Sequence, residues 1–167
     1  FLVYPIVISI IENQFLLAII FFILAGISDF FDGFLARKLE ATSEFGMIAD
    51  PIADKTLIIA TLISLTIAGK VDLWIAYLVL GRDMIAVAGY ILATILLSPY
   101  KVKTHFSGKV YTTFLLIFLG LVILSSANLF DNSFVNLIVI FVLITSVFLS
   151  LFDYFRDPGF SLYKKIF

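Results

Sequence analysis

The sequence contains no cysteine, a single histidine and few charged residues. Without cysteine the chain has no disulfide and no thiol chemistry, and nothing in it indicates a redox compartment. Charged residues make up 14% of the chain and the net charge is −1, so the basic face that nucleic-acid binding requires is missing. Nucleic acid is therefore excluded as a partner. The single histidine, His105, lies in a predicted connection, and we assign it no catalytic role.

Apolar residues dominate instead. Of the 167 residues, 62% are hydrophobic, whereas ordinary soluble domains are about half apolar. A soluble domain of this length cannot bury that many apolar side chains. The composition predicts one integral membrane domain over residues 1–167, surrounded by membrane lipids, with no internal repeat.

Six apolar runs are candidates for membrane helices, each of which needs about 20 mostly apolar residues. They cover residues 1–11, 15–38, 46–69, 72–99, 108–127 and 133–155. The runs are too long for barrel strands and do not alternate strictly, which favours an all-α bundle. Pro99 is predicted to end the fourth helix, and Pro158 and Gly159 to follow the sixth. Because the chain begins at Phe1, we expect the first run to be the end of a helix that begins upstream.

Basic residues are distributed unevenly among the connections. Eight of them lie in the 2–3 connection, the 4–5 connection and the C-terminal tail, with their flanks: Arg37, Lys38, Lys101, Lys103, Lys109, Arg156, Lys164 and Lys165. The other connections contain only Lys70. The positive-inside rule places the basic side in the cytoplasm, so we expect a multi-pass protein of the cytoplasmic membrane with both termini inside.

Four aspartates interrupt the second and third apolar runs. Each would cost about 2.5–3.5 kcal/mol at the centre of a bilayer, so they must be neutralised or face water. Asp29 and Asp32 are three residues apart, and Asp50 and Asp54 are four apart, which places each pair on one helix face. The short connection 38–45 makes the two helices antiparallel neighbours. The four carboxylates are predicted to converge in a polar cavity that opens to the cytoplasm.

Four carboxylates in one small site repel each other, and two divalent cations would balance their charge. Mg²⁺ and Mn²⁺ prefer carboxylate oxygens, and a pair of such ions about 3.5–4 Å apart is a common arrangement for displacement at phosphorus. Three other interpretations remain open: structural ion pairs with Arg37, Lys55 or Arg82, a proton or cation pathway, and a membrane scaffold without activity.

The stretch 28–55 has the sequence SDFFDGFLARKLEATSEFGMIADPIADK. It resembles the signature of the CDP-alcohol phosphotransferase family: D-x-x-D-G-x-x-A-R, eight residues, then G-x-x-x-D-x-x-x-D. Every fixed position and the spacer are matched. The matching residues are Asp29, Asp32, Gly33, Ala36, Arg37, Gly46, Asp50 and Asp54.

The resemblance implies an enzyme that transfers a phosphatidyl group from CDP-diacylglycerol to an alcohol acceptor, releases CMP, uses two divalent metal ions and forms a homodimer. It implies that the metals are bound by Asp29, Asp32, Asp50 and Asp54, and that Asp54 also takes the proton of the acceptor hydroxyl. The implied nucleotide site consists of Asp29, Asp32, Gly33, Ala36, Arg37 and Gly46.

Two basic residues are candidates for binding the acceptor. Arg82, in the fourth run, requires an anionic partner, which is either an aspartate such as Asp83 or the phosphate of an acceptor. Lys109 opens the fifth run on the predicted cytoplasmic side and is either a solvated surface charge or a second phosphate ligand. Family members with phosphorylated acceptors have a basic pocket in this region, and these two residues match it best.

Within the family, the signature stretch most resembles the phosphatidylglycerophosphate synthases, whose acceptor is glycerol 3-phosphate. Those enzymes often have a second arginine two turns after the first, where this chain has Tyr90. The stretch 81–90, GRDMIAVAGY, also resembles the cardiolipin synthases, whose acceptor is phosphatidylglycerol. Inositol phosphate and serine remain further alternatives.

Overall fold

A computed structural model describes the backbone of residues 2–38, 44–96, 106–129 and 133–166, and side chains within 2–29, at 31, and within 54–89, 107–129 and 135–153. The described backbone forms six helices and no strand. They are α1 (Val3–Ile11), α2 (Phe15–Lys38), α3 (Glu44–Ile67), α4 (Leu73–Leu96), α5 (Phe106–Ser126) and α6 (Ser133–Ile166). The predicted number and order of helices are confirmed, whereas their arrangement as a six-span bundle stays a prediction.

The end of the last helix was predicted wrongly. α6 continues through Pro158 and Gly159 and ends only at Ile166, eleven residues beyond the predicted end at position 155. A proline within a helix removes one backbone hydrogen bond and can bend the helix, but the hydrogen bonds on either side of it can still form. The proposed stop at Pro99 lies outside the described residues.

Three helices end in the same kind of turn. The second residue after the helix end has a positive φ in each case: 58° at Asn13, 69° at Gly69 and 55° at Asn128. Glycine and asparagine adopt this left-handed conformation most readily. The next amide then donates to a carbonyl five residues earlier, as in Gln14 to Ser9 (2.7 Å), Lys70 to Leu65 (2.9 Å) and Leu129 to Leu124 (3.1 Å). This Schellman arrangement satisfies carbonyls of the last helical turn, so the chain can leave α1, α3 and α5 abruptly.

The chain divides into two compact units. The first contains residues 1–73 and 119–131, and the second contains 74–118 and 132–167. In the first unit α1 packs against both α2 and α3. Its fully buried side chains come from all three helices and from the end of α5: Ile6, Ile10, Ala18, Leu62, Leu65, Leu119 and Ile123. The first unit therefore holds the helices that contain the signature.

The second unit consists of α4, the first half of α5, and α6. Its buried apolar residues include Val79, Leu115, Leu143 and Val147. The second unit also buries a charged residue, Arg82.

Two helices in the described part of the chain are long and apolar enough to cross a membrane: Ser107–Ser126 and Val135–Asp153. Only 28% and 22% of their most apolar stretches are buried inside the protein. The core helix of a soluble protein would be mostly buried, whereas these helices expose large apolar side chains such as Phe141, Phe148 and Phe152. A lipid environment accounts for this exposed apolar surface.

Candidate active site

All eight signature positions lie on helices of the first unit. Asp29 and Asp32 are in the second half of α2, and Asp50 and Asp54 are in the first half of α3. Most other residues of both helices are apolar, and α3 continues without interruption through Pro51. The helical spacing assumed from the sequence is therefore present, and positions three or four apart come to the same side of each helix.

The structure describes the side chains of two signature aspartates, Asp29 and Asp54, and both are exposed. The side chains of Asp32 and Asp50 lie outside the described residues. Among the side chains that are described, no three histidine, cysteine, aspartate or glutamate residues come together. The predicted convergence of four carboxylates thus stays a prediction.

The residues predicted to bind the nucleotide also lie on α2 and α3. Gly33, Ala36 and Arg37 follow the aspartates on α2, and Gly46 precedes them on α3. The side chains of Ala36 and Arg37 lie outside the described residues. Their backbone is helical, which is what the fixed spacing of the signature requires.

A second polar cluster lies in the second unit around Arg82, in the middle of α4. Its side chain is only 5% exposed, and its Nη1 atom lies 2.6 Å from Oδ1 of Asp83. Its Nη2 atom donates a hydrogen bond to Oγ of Ser150 on α6. The guanidinium lies over the ring of Tyr111 on α5, with the central carbon 4.2 Å from the ring centroid. We call Arg82, Asp83, Tyr111 and Ser150 the arginine cluster.

The arginine cluster explains how a cation is held in apolar surroundings. Removing a charge from water is costly unless a countercharge and hydrogen bonds replace the lost hydration. Asp83 supplies the countercharge, Ser150 supplies a neutral acceptor, and the face of the Tyr111 ring attracts the guanidinium electrostatically. The sequence left either an aspartate or an acceptor phosphate as the partner of Arg82. Within the described residues, the structure shows an ion pair with Asp83.

Lys109 precedes Tyr111, a member of this cluster, by two residues in the sequence. A methyl group added to its neighbour Gly108 would be 3.9 Å from Nη2 of Arg82, so the start of α5 approaches the guanidinium closely. Lys109 itself is exposed. The hydroxyl groups of Ser107 and Tyr111 are buried and have no hydrogen-bond partner within the described part of the chain. Three polar residues near the start of α5, Ser107, Lys109 and Tyr111, therefore lie at or near the arginine cluster.

Two members of the arginine cluster were not identified from the sequence. Ser150 lies in a long apolar run, and Tyr111 follows Lys109 by two residues. The available signal was weak but present: Ser146 and Ser150 are polar residues four apart on one face of an otherwise apolar helix. Only the packing of α4, α5 and α6 reveals that the second of them meets Arg82.

Comparison with known proteins agrees with the signature. The sequence model of the CDP-alcohol phosphatidyltransferase family matches residues 1–152. A protein of Aquifex aeolicus named CDP-diacylglycerol–glycerol-3-phosphate 3-phosphatidyltransferase is 30% identical over 164 residues, which cover 93% of this chain and 88% of that protein. A Haemophilus influenzae protein of the same name is 35% identical over 112 residues, covering 65% of this chain and 60% of its own length.

Human cardiolipin synthase (CMP-forming) is 36% identical over 101 residues, which cover 59% of this chain and 34% of that protein. No solved structure matches the chain significantly. Because the family model matches residues 1–152 of 167 and the Aquifex aeolicus protein is similar over most of both sequences, this chain belongs to the CDP-alcohol phosphatidyltransferase family.

Proposed function

We propose that this chain transfers the phosphatidyl group of CDP-diacylglycerol to glycerol 3-phosphate and releases CMP. The observation that carries the proposal is the complete signature from Asp29 to Asp54, with all eight of its positions on the helical residues of α2 and α3. The names of the Aquifex aeolicus and Haemophilus influenzae relatives support glycerol 3-phosphate as the acceptor.

The residues proposed to hold two divalent ions are Asp29, Asp32, Asp50 and Asp54. Their carboxylate oxygens are the donors that Mg²⁺ and Mn²⁺ prefer, and the side chains of Asp29 and Asp54 are exposed. Bound ions would offset the charge of the diphosphate and stabilise the leaving CMP. The donor set therefore fits the metal dependence that is general in the family.

Asp54 is proposed to accept the proton of the attacking hydroxyl. The oxygen of the acceptor forms a bond to the phosphorus that bears the diacylglycerol, the bond from that phosphorus to the oxygen of CMP breaks, and the proton passes to the carboxylate. A carboxylate beside cations is a weak base, so it acts when the hydroxyl is held within hydrogen-bond reach. Most of the rate enhancement then comes from positioning of the two substrates.

The nucleotide is proposed to lie against Gly33, Ala36 and Gly46. Glycine and alanine leave room for a bulky ligand to approach the helix backbone. Arg37, one position beyond Ala36, is proposed to interact with phosphate or to organise the site. Asp29 and Asp32 would contact the nucleotide through the same region of α2.

The phosphate of glycerol 3-phosphate is proposed to bind Arg82 and Lys109. The close approach of Gly108 to Nη2 of Arg82 brings the start of α5 next to this arginine, and Lys109 is the next residue. Asp83 stabilises the buried guanidinium, and the side chain of Lys109 is exposed. A guanidinium and an ammonium together suit a doubly charged phosphate.

The proposed setting is the cytoplasmic membrane, with six spans, both termini and the active site on the cytoplasmic side, and a homodimer as the assembly. The uneven distribution of lysine and arginine supports this orientation. The apolar exposed faces of α5 and α6 support spanning segments.

The decisive experiment measures CMP release by the purified protein from CDP-diacylglycerol with Mg²⁺ or Mn²⁺. The acceptors compared are glycerol 3-phosphate, phosphatidylglycerol, inositol phosphate and serine. Release with glycerol 3-phosphate alone is the expected result. Release with none of them, from folded protein, would refute the proposed reaction.

Cardiolipin synthesis is the second candidate, and one position favours it. Tyr90 on α4 stands where many glycerol 3-phosphate enzymes have a second arginine, which reduces the positive charge available for a phosphorylated acceptor. Similarity to the human cardiolipin synthase agrees with this alternative. Release of CMP with phosphatidylglycerol but not with glycerol 3-phosphate would establish it. The ion-pathway interpretation would instead require cation flux in liposomes without any CDP-lipid.

A further inference from the structure

Ser150 differs from Ser146, the other buried serine among the described side chains of α6. Serines in apolar helices commonly return their hydroxyl to the backbone of the preceding turn. Ser146 does so, since its Oγ donates to the carbonyl of Leu143 at 2.7 Å. Ser150, one turn later and 0% exposed, instead accepts a hydrogen bond from Nη2 of Arg82, which is 68 residues away in the chain.

The guanidinium of Arg82 is held from three directions by three helices. Asp83 of α4 binds Nη1, Ser150 of α6 binds Nη2, and the ring of Tyr111 of α5 lies against the planar face. Arginine has a long side chain with many rotamers, so each contact restricts the direction of its donors. The contact from Ser150 joins the second terminal nitrogen to a different helix and therefore restricts the rotation of the guanidinium within its own plane.

We propose that Ser150 is a positioning residue for the acceptor site: it holds the guanidinium of Arg82 in the orientation that binds the phosphate of the acceptor. The inference rests on the proposed function, in which Arg82 binds that phosphate. A planar guanidinium binds phosphate oxygens strongly only when its donors point at them, so a change in its orientation weakens acceptor binding without removing the charge. Ser150 touches neither substrate nor metal in this scheme and acts through Arg82.

The test compares steady-state CMP release by full-length protein as the concentration of glycerol 3-phosphate is varied at saturating CDP-diacylglycerol. Ser150→Ala is expected to raise the KM for glycerol 3-phosphate about tenfold, as expected for loss of one hydrogen bond to a charged group. The kcat and the KM for CDP-diacylglycerol are expected to stay at their wild-type values. Ser150→Thr keeps a hydroxyl at this position. Its KM for glycerol 3-phosphate is expected to be closer to the wild-type value than that of Ser150→Ala.

Ser146→Ala is the matched control, because it removes a buried hydroxyl from the same helix that is bonded to the backbone rather than to Arg82. It is expected to leave the KM for glycerol 3-phosphate unchanged. A double-mutant cycle with Arg82→Ala supplies the second measurement, since residues that act through one another have non-additive effects. Adding Ser150→Ala to Arg82→Ala is expected to raise the KM no further.

Two results would overturn the inference while leaving the proposed function intact. In the first, Arg82→Ala raises the KM for glycerol 3-phosphate but Ser150→Ala behaves like Ser146→Ala. In the second, the effects of Ser150→Ala and Arg82→Ala add fully. If Arg82→Ala itself leaves this KM unchanged, the acceptor role of Arg82 fails and the positioning role of Ser150 fails with it.

Discussion

The guanidinium of Arg82 on α4 lies over the ring of Tyr111 on α5, with its central carbon 4.2 Å from the ring centroid. Both side chains are buried, at 5% and 2% exposure. A cation over an aromatic face contributes about 2 kcal/mol when it is removed from water, so this contact helps to hold α5 against α4. The hydroxyl of the same tyrosine has no hydrogen-bond partner within the described residues.

The ring of Tyr111 and its hydroxyl are therefore predicted to have separate effects on stability. Tyr111→Phe keeps the ring and removes only a hydroxyl without a partner, so thermal unfolding in detergent should change little. Tyr111→Leu removes the aromatic face and should lower the free energy of unfolding by about 2 kcal/mol or more. Equal destabilisation by the two substitutions would show that the hydroxyl, not the ring, is the important group.

Removal of divalent metal is predicted to abolish CMP release, and added Mg²⁺ or Mn²⁺ to restore it. Asp50→Asn should lower the rate at least about 100-fold, because a lost metal ligand removes several kcal/mol of charge stabilisation in the transition state. Asp72→Asn is the control, since Asp72 is an exposed aspartate outside the signature. An Asp50→Asn protein with wild-type rate and metal dependence would show that the carboxylates of the signature do not form the metal site.

The absence of cysteine allows a direct test of the proposed orientation. Single cysteines at Glu12 and Lys70 should react with a membrane-impermeant reagent added outside intact cells, because the connections of both residues are poor in basic residues. A cysteine at Lys109 should react only after the membrane is opened. Labelling of Lys70→Cys and Lys109→Cys from the same side would contradict a spanning α4.

Gly69 is predicted to be required at the end of α3. Its φ of 69° is a conformation that residues with a side chain adopt at a cost, so Gly69→Ala should lower the free energy of unfolding by about 1 kcal/mol. Gly26→Ala, within α2, is the control. Apart from the helix's own backbone and the two chain neighbours, no described atom lies within 4 Å of the added methyl group there, and alanine favours the helix. The prediction fails if Gly69→Ala is as stable as Gly26→Ala.

The sequence by itself determined the helices and their order. Long apolar runs separated by Asn13, Gly69 and Asn128 gave bounds within three residues of the observed ones, except at the end of α6. Helix formation depends on hydrogen bonds between residues four apart, so local composition predicts it well. The same local regularity placed the four aspartates of the signature on α2 and α3. Pro158 misled the prediction because one missing hydrogen bond does not end a helix.

The tertiary structure alone decided which residues surround Arg82. The sequence indicated Asp83 as one candidate partner for Arg82. It did not identify Tyr111 or Ser150, and Ser150 is 68 residues from Arg82 in the chain. Helices that are apolar on every side have no polar face to indicate which side packs against a neighbour. The rotation of α5 and α6 about their axes is fixed only when they pack together with α4. That packing, rather than any local pattern, determines how the buried arginine is held.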